Sequence, residues 1–271
     1  MNPGFTAALI TAFLILLSAC ASPQAFQSAP SSTGRYQLGP HPAEGLFGQP
    51  MRYLDDRQSI GYVQNGGGVG LLLEVFRPLG LALDLDLIAA KSDKDQKALK
   101  RTLGIDVYRA FALALSESAI APVSGSSSDI LLSPYLYLVN VDDDHILTAA
   151  SLHVDMHPTG RDWDRKYEYE LPEIYTKAQL AAGLTESQFS SLQADLTVGL
   201  RWGVETYLKD AQGALPLQQN VTVKSKFLMP WLDAALLGDV FNAGPGRCGF
   251  AGPRAIVSLI ADRAKITPQK C

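Results

Sequence analysis

The stretch SPYLYLVNVDDDHILTAASLHVDMHP, residues 133–158, decides the fold. Two runs rich in Tyr, Leu, Val, Ile and Thr flank three aspartates, the pattern of two β-strands joined by a polar turn. Pairing Asp142 with His145 sets Val141 against Ile146, Val139 against Thr148, Tyr137 against Ala150 and Tyr135 against Leu152. In that register Val154 and Met156 extend an apolar face that meets the core, because side chains alternate along a strand. The other face runs from Leu136, Leu138 and Leu147 to His153, Asp155 and His157, so it is expected to be half covered.

Helical periodicity lies on either side of this hairpin. From Asp93 to Ala119, the residues Leu99, Leu103, Val107, Phe111 and Leu115 recur every four positions, which predicts one amphipathic helix with Gly104 near its middle. A second helix is predicted from Glu186 to Asp210. Thr185 is its N-cap, and Gln188 completes a capping box three residues on. Phe189, Leu192, Leu196, Leu200, Val204 and Tyr207 form its buried stripe, Gly213 ends it, and Gly199 and Gly203 allow close backbone approach. Residues 221–227 alternate like a strand with Lys224 and Lys226 outward, and Ala255–Ile260 has the β-branched content of another. The expected fold class is α+β: an antiparallel sheet with two long helices packed on it, forming a single domain over residues 51–271.

The search for chemistry yields one constellation. On a strand, His153, Asp155 and His157 share a face, and two imidazoles with a carboxylate can hold zinc or iron. A half-exposed strand explains the same alternation, and no H-E-x-x-H motif adds ligands. Asp142-Asp143-Asp144 lacks the spacing of a calcium loop and reads as a solvated turn. Gly66-Gly67-Gly68-Val69-Gly70 is followed by leucines where a phosphate loop needs Gly-Lys-Ser/Thr, so it reads as a joint. It leads into an apolar segment broken by Pro78-Leu79-Gly80 and interrupted by charges, which reads as a poor membrane span and a possible contact patch. Residues 124–129, SGSSSD, form a loop without the surroundings of a nucleophile elbow. Trp163, Tyr167 and Tyr169, interleaved with Asp164, Arg165 and Lys166, form an aromatic and charged strip that suits either an interface or a core edge. No cofactor is expected. The net charge of −4 argues against a nucleic-acid partner, which calls for a basic surface.

The N-terminus carries the address. Thirteen mostly apolar residues, Phe5–Leu17, precede Ser18-Ala19-Cys20. That run is shorter than the ~20 residues of a membrane span and fits the ~7–15 of a secretory signal. Residues 1–19 contain no Lys or Arg, so the terminal amine alone supplies the leading charge. Residues 21–50, rich in Pro, Ser, Gly, Gln and Ala, read as a flexible tether between the signal and the domain.

Leu17-Ser18-Ala19-Cys20 resembles the lipobox of bacterial lipoproteins. The resemblance implies cleavage before Cys20 and lipidation of its thiol and new amine, which anchors the chain stably in a membrane. Ala21 in place of Asp resembles the outer-membrane sorting pattern. The implied protein is a lipid-anchored envelope lipoprotein facing the periplasm, with an envelope protein as its partner and a non-catalytic binding or assembly role. The alternative is a lipid-anchored metal-dependent enzyme using His153, Asp155 and His157. With Cys20 lipidated, Cys248 and Cys271 remain, and an oxidising compartment favours a disulfide between them over free thiols. The order helix, hairpin, helix, strand over residues 93–227 also resembles envelope accessory lipoproteins with a TolB-N-like sandwich.

Overall fold

The computed structural model describes residues 26–31, 35–46, 51–63, 99, 104–116, 118, 120–122, 130–156, 163–230 and 234–267. The signal segment, Cys20, the glycine run, the apolar segment that follows it, the loop 124–129, His157 and Cys271 lie outside the described residues. The strands are β1 (Arg35–Leu38), β2 (Arg52–Tyr53), β3 (Ile60–Val63), β4 (Ala121–Pro122), β5 (Ile130–Asn140), β6 (His145–Met156), β7 (Trp163–Thr176), β8 (Gln218–Ser225), β9 (Leu236–Asn242), β10 (Arg247–Ala251), β11 (Ala255–Ile260) and β12 (Ala264–Thr267). The helices are α1 (Val107–Leu115), α2 (Lys177–Ala182) and α3 (Glu186–Ala211).

The fold is mixed α/β and mostly sheet. The main strand order is β12-β8-β9-β10-β11-β7-β6-β5-β1-β4, with β3 also paired to β5 and β2 to β3. The meander β5-β6-β7 is antiparallel, as are the β8-β9 and β9-β10-β11 ladders. In contrast, β11 joins β7 in parallel, and β1 and β3 join β5 in parallel. This corrects the expected antiparallel sheet with two long helices. The sheet is mixed, and of the described helices only α3 is long.

The hairpin exists, but one residue out of the expected register. Tyr135 lies opposite Ser151, Tyr137 opposite Ala149, and Val139 opposite Leu147. The cause is local. The Asp142 carboxylate accepts from the backbone N–H of Asp144 at 2.9 Å and of His145 at 2.7 Å. That side-chain turn, a familiar Asp conformation, makes a three-residue loop of Asp142–Asp144 and leaves Val141 facing His145, with its N–H donating to His145 O at 3.1 Å. Slipping a strand by one residue regroups whole faces. Tyr135, Tyr137 and Val139 therefore share a face with His153, while Leu136 and Leu138 share one with Leu152 and Val154.

Both faces are covered, which corrects the half-covered expectation. On one, Leu136, Ile146, Leu152 and Tyr167 pack with Phe111 and Ala114 of α1 and with Leu196, Leu200 and Tyr207 of α3. On the other, Tyr135, Tyr137 and Leu147 pack with Val223, Phe227, Phe250 and Val257 from the far half of the sheet. The Tyr137 and Phe227 rings lie 6.0 Å apart. Six strand-to-strand steps separate β5 from β8, which in a flat sheet is roughly 30 Å. The sheet therefore curls over its own inner face, and the helices cover the outer one.

The start of α3 is as the sequence predicts: the Thr185 hydroxyl accepts from Gln188 N–H, and the Gln188 side chain accepts from Thr185 N–H. Gly213 follows its end with φ of 64°, a conformation that favours glycine. The single helix expected over 93–119 is different. Gly104–Asp106 is not helical, and α1 begins afresh with Asp106 as N-cap, accepting from Arg109 N–H at 2.9 Å. Gln193 of α3 clamps that start by donating to Asp106 O at 2.9 Å.

A Cβ added at Gly199 would lie 2.5 Å from Ala150 Cβ and 3.0 Å from Tyr169 Cδ1, whereas one at Gly203 would sit 3.4 Å from Leu152 Cβ. Gly→Ala in a helix gains about 1 kcal/mol by propensity. At Gly199, overpacking costs about 1–3 kcal/mol and reverses the sign. We expect Gly199→Ala to lower the urea midpoint and Gly203→Ala to leave it unchanged or raise it.

Packing begins before residue 51. Ala29, Tyr36 and Leu46 are buried, and β1 is a strand of the sheet. The expected tether 20–50 is thus part of the fold wherever its residues are described. Small and proline-rich composition here marks chain lying close against the sheet, not chain free in solvent.

Candidate functional site

Strand β7 assembles two polar layers, one on each face, because charged residues occupy both of its alternating sets. Arg165 and Tyr167 point to the helix side. Arg165 Nη1 is 2.5 Å from Asp210 Oδ2, and its Nη2 donates to Gln27 O at 2.7 Å. Tyr167 OH donates to the same carboxylate oxygen at 2.7 Å, and Ala29 N–H donates to Asp210 Oδ1 at 3.1 Å. The guanidinium also sits over the Phe26 ring at 4.4 Å. This buried ion pair ties the segment 26–29 to α3 and the sheet. Both Asp210 oxygens and both terminal guanidinium nitrogens are partnered, while Arg165 Nε has no hydrogen-bond partner among the described residues, and the pair reads as a structural clamp.

The inner face differs. Cross-strand register places Tyr135, Ser151 and Glu168 in one row, and Ser133, His153 and Lys166 in the next. All six are buried. Burial pushes the Glu168 carboxyl up to about 8, against the opposing pull of Lys166 and the Tyr135 hydrogen bond. Tyr135 OH donates to Glu168 Oε1 at 3.3 Å, while Glu168 Oε2 has no hydrogen-bond partner among the described residues. Burial likewise raises Tyr135 and Tyr137 well above the ordinary phenol range. Burial thus favours the uncharged form throughout this row.

The segment 39–46 covers the rows and is pinned by its backbone. Gly39 N–H donates to Leu132 O at 3.1 Å, Ser133 Oγ to Pro40 O at 2.8 Å, and Tyr53 OH to Pro42 O at 2.6 Å. Lys166 Nζ donates to Gly45 O at 3.1 Å. His41 Nε2 lies 3.0 Å from Pro134 O, and because a carbonyl only accepts, the ring donates there. Burial lowers the His41 pKa, which keeps that imidazole neutral. A side chain at Gly45 would collide with the Tyr137 hydroxyl, 2.5 Å from its Cβ position.

Between the end of this segment and the sheet lies a cavity of about 340 Å³. Lys166 and His153 reach it from the sheet, Glu44 and Asp164 stand on its rim, and the turn Pro253-Arg254 closes one side. That turn is set by Gly252 N–H donating to Ala255 O at 2.8 Å, and Arg254 O accepts from Lys166 N–H at 3.0 Å. His153 Nε2 sits 3.4 Å from Asp164 Oδ2. That hydrogen bond is the leading cause holding the Asp164 carboxyl below its ordinary value, aided by the charges of Lys166 and Arg254. The arrangement offers charge recognition.

The candidate residues named from the sequence fare unevenly. His153 is at the cavity but buried and bonded to Asp164, not on an exposed strand face. Asp155 is half-buried and registered opposite Asp164. His157, Cys20 and Cys271 lie outside the described residues. No group of three His, Cys, Asp or Glu placed to hold a metal ion occurs among the described residues. Cys248 is fully buried on the inner face. Sequence reading placed Lys166 in the aromatic and charged strip, Tyr135 on the apolar hairpin face and Asp210 at a helix end without a site role, and did not name Glu168. A signal existed in the alternation of β7, but charges in an aromatic strand look like a surface until both neighbouring strands are known.

No protein-family model, curated protein or solved structure matches the chain. The assignment of function therefore rests on the residues themselves.

Proposed function

We propose that the chain is a lipid-anchored lipoprotein of the bacterial cell envelope, held at the outer membrane and facing the periplasm, with a non-catalytic binding role. The observation that carries this reading is Leu17-Ser18-Ala19-Cys20 closing a thirteen-residue apolar run. A thiol at that place serves as an acylation point, and several acyl chains on one residue exceed the two-signal requirement for stable anchoring. The binding role is supported by a cavity with charged groups on its wall and rim. Metabolic labelling with a fatty-acid analogue tests the anchor. Wild type is expected to take the label and to pellet with membranes, while Cys20→Ala stays unlabelled and unprocessed. Equal labelling of the variant would contradict the reading.

The same compartment is oxidising, and Cys248 and Cys271 are the cysteines left after lipidation. We expect them to be linked, pinning the chain end after β12 to the inner core. Non-reducing peptide mapping should return one cross-linked peptide pair, and two alkylated thiols in protein taken from the envelope would refute the link.

A further inference from the structure

We propose that the cavity beneath segment 42–46 is a binding site for a small zwitterion of the amino-acid or short-peptide class. The inference deepens the binding role above and rests on it.

Charge comes first. The cavity is lined by two cations, Lys166 and Arg254, and two anions, Glu44 and Asp164, with His153 beside Asp164. A simple anion entering it would desolvate the two carboxylates without compensation, and a simple cation would do the same to the two basic groups. A molecule with an ammonium at one end and a carboxylate at the other meets both demands at no net charge. The two signs are also placed differently. Lys166 is buried at the wall, while Asp164 and Glu44 are exposed at the rim. The ligand carboxylate accordingly goes inward to Lys166, with Arg254 closing over it, and the ammonium stays at the mouth.

The wall makes the inner position selective. Lys166 spends one of its three N–H groups on Gly45 O. Glu168, in the neighbouring row, is the carboxyl that would otherwise neutralise it, but burial favours its protonated form and its Oε1 is held by Tyr135 OH at 3.3 Å. The ammonium therefore retains both donors and attraction for an incoming carboxylate. Size sets the rest. About 340 Å³ is at the small end of the roughly 300–1,000 Å³ typical of ligand sites. Pro42, Leu46 and Ala255 supply apolar wall for a short side chain.

Calorimetric titration of the purified full chain in detergent tests this, with L-alanine, the dipeptide alanyl-alanine, acetate and methylammonium as probes. At least one of the two zwitterions is expected to bind about tenfold or more tightly than either half-ligand, a margin of about 1.4 kcal/mol. Arg254→Gln and Asp164→Asn alter exposed side chains. Each should weaken that binding about tenfold while leaving the melting temperature within a degree or two of wild type. Absence of heat with both zwitterions at millimolar concentration overturns the proposal. So does acetate binding as tightly as the better zwitterion, or zwitterion binding that both variants leave unchanged. Fatty-acid labelling at Cys20 reads the anchor separately, so loss of one result leaves the other intact.

Discussion

Asp210→Ala is expected to destabilise the protein by about 3–5 kcal/mol, the cost of leaving a buried charge without its partner. Asp210 is wholly buried and answers three groups at once: the Arg165 guanidinium, the Tyr167 hydroxyl and the Ala29 backbone N–H. Removing it takes the counter-charge from the buried guanidinium, which keeps the backbone acceptors Gln27 O and Pro253 O, and leaves the Tyr167 hydroxyl and the Ala29 N–H without that partner. Against a typical total of about 5–15 kcal/mol, this is a large fraction of stability. Replacing both charges should cost far less, because apolar groups of similar volume often substitute for a buried pair. Urea denaturation of Asp210→Ala and of the double variant Asp210→Leu with Arg165→Met decides it. A single variant as stable as wild type would show that the pair is not closed in solution. Limited proteolysis should also find the segment 26–29 cut faster in the single variant.

Glu168 governs the second large effect. Its carboxyl is raised from 4.5 to about 8 by burial. A raised acid pKa means that the native state keeps a proton which the unfolded chain releases above about 4.5. The unfolded state then binds fewer protons, so stability falls as pH rises between the two values. The shift corresponds to about 4 kcal/mol lost from this group between pH 4.5 and 8. Glu168→Gln keeps the shape and removes the titration. We expect the difference in stability between variant and wild type to grow in the variant's favour from pH 5 to pH 8. A difference that stays constant with pH would mean that the carboxyl is not held protonated in the fold.

What was legible in the sequence was local. The capping box of Thr185 and Gln188, the stripe from Leu192 to Tyr207 and the stop at Gly213 depend on residues within a few positions of one another. The hairpin was legible in kind, but its register depended on the Asp142 side chain competing for backbone N–H groups, a choice that hydrophobic alternation does not reveal. The curl of the sheet and the covering of its inner face depend on contacts such as Tyr137 with Phe227, far apart in sequence. The site fell to the same cause. Lys166 stood in a strip read as either an interface or a core edge, Glu168 was not singled out, and the strands on both sides of β7 make both interior. The triplet His153, Asp155 and His157 was singled out because the three share one strand face, and alternation along a strand says nothing about what lies opposite. His153 proves to face Asp164, a residue eleven positions away across the β6–β7 pairing.

The address is the central claim, and the mature N-terminus tests it most directly. Mass spectrometry of the N-terminal peptide from membrane-purified protein should find a chain that begins at Cys20 and carries acyl groups on that residue. A chain that begins at Met1, or one cut elsewhere with an unmodified Cys20, would contradict the account.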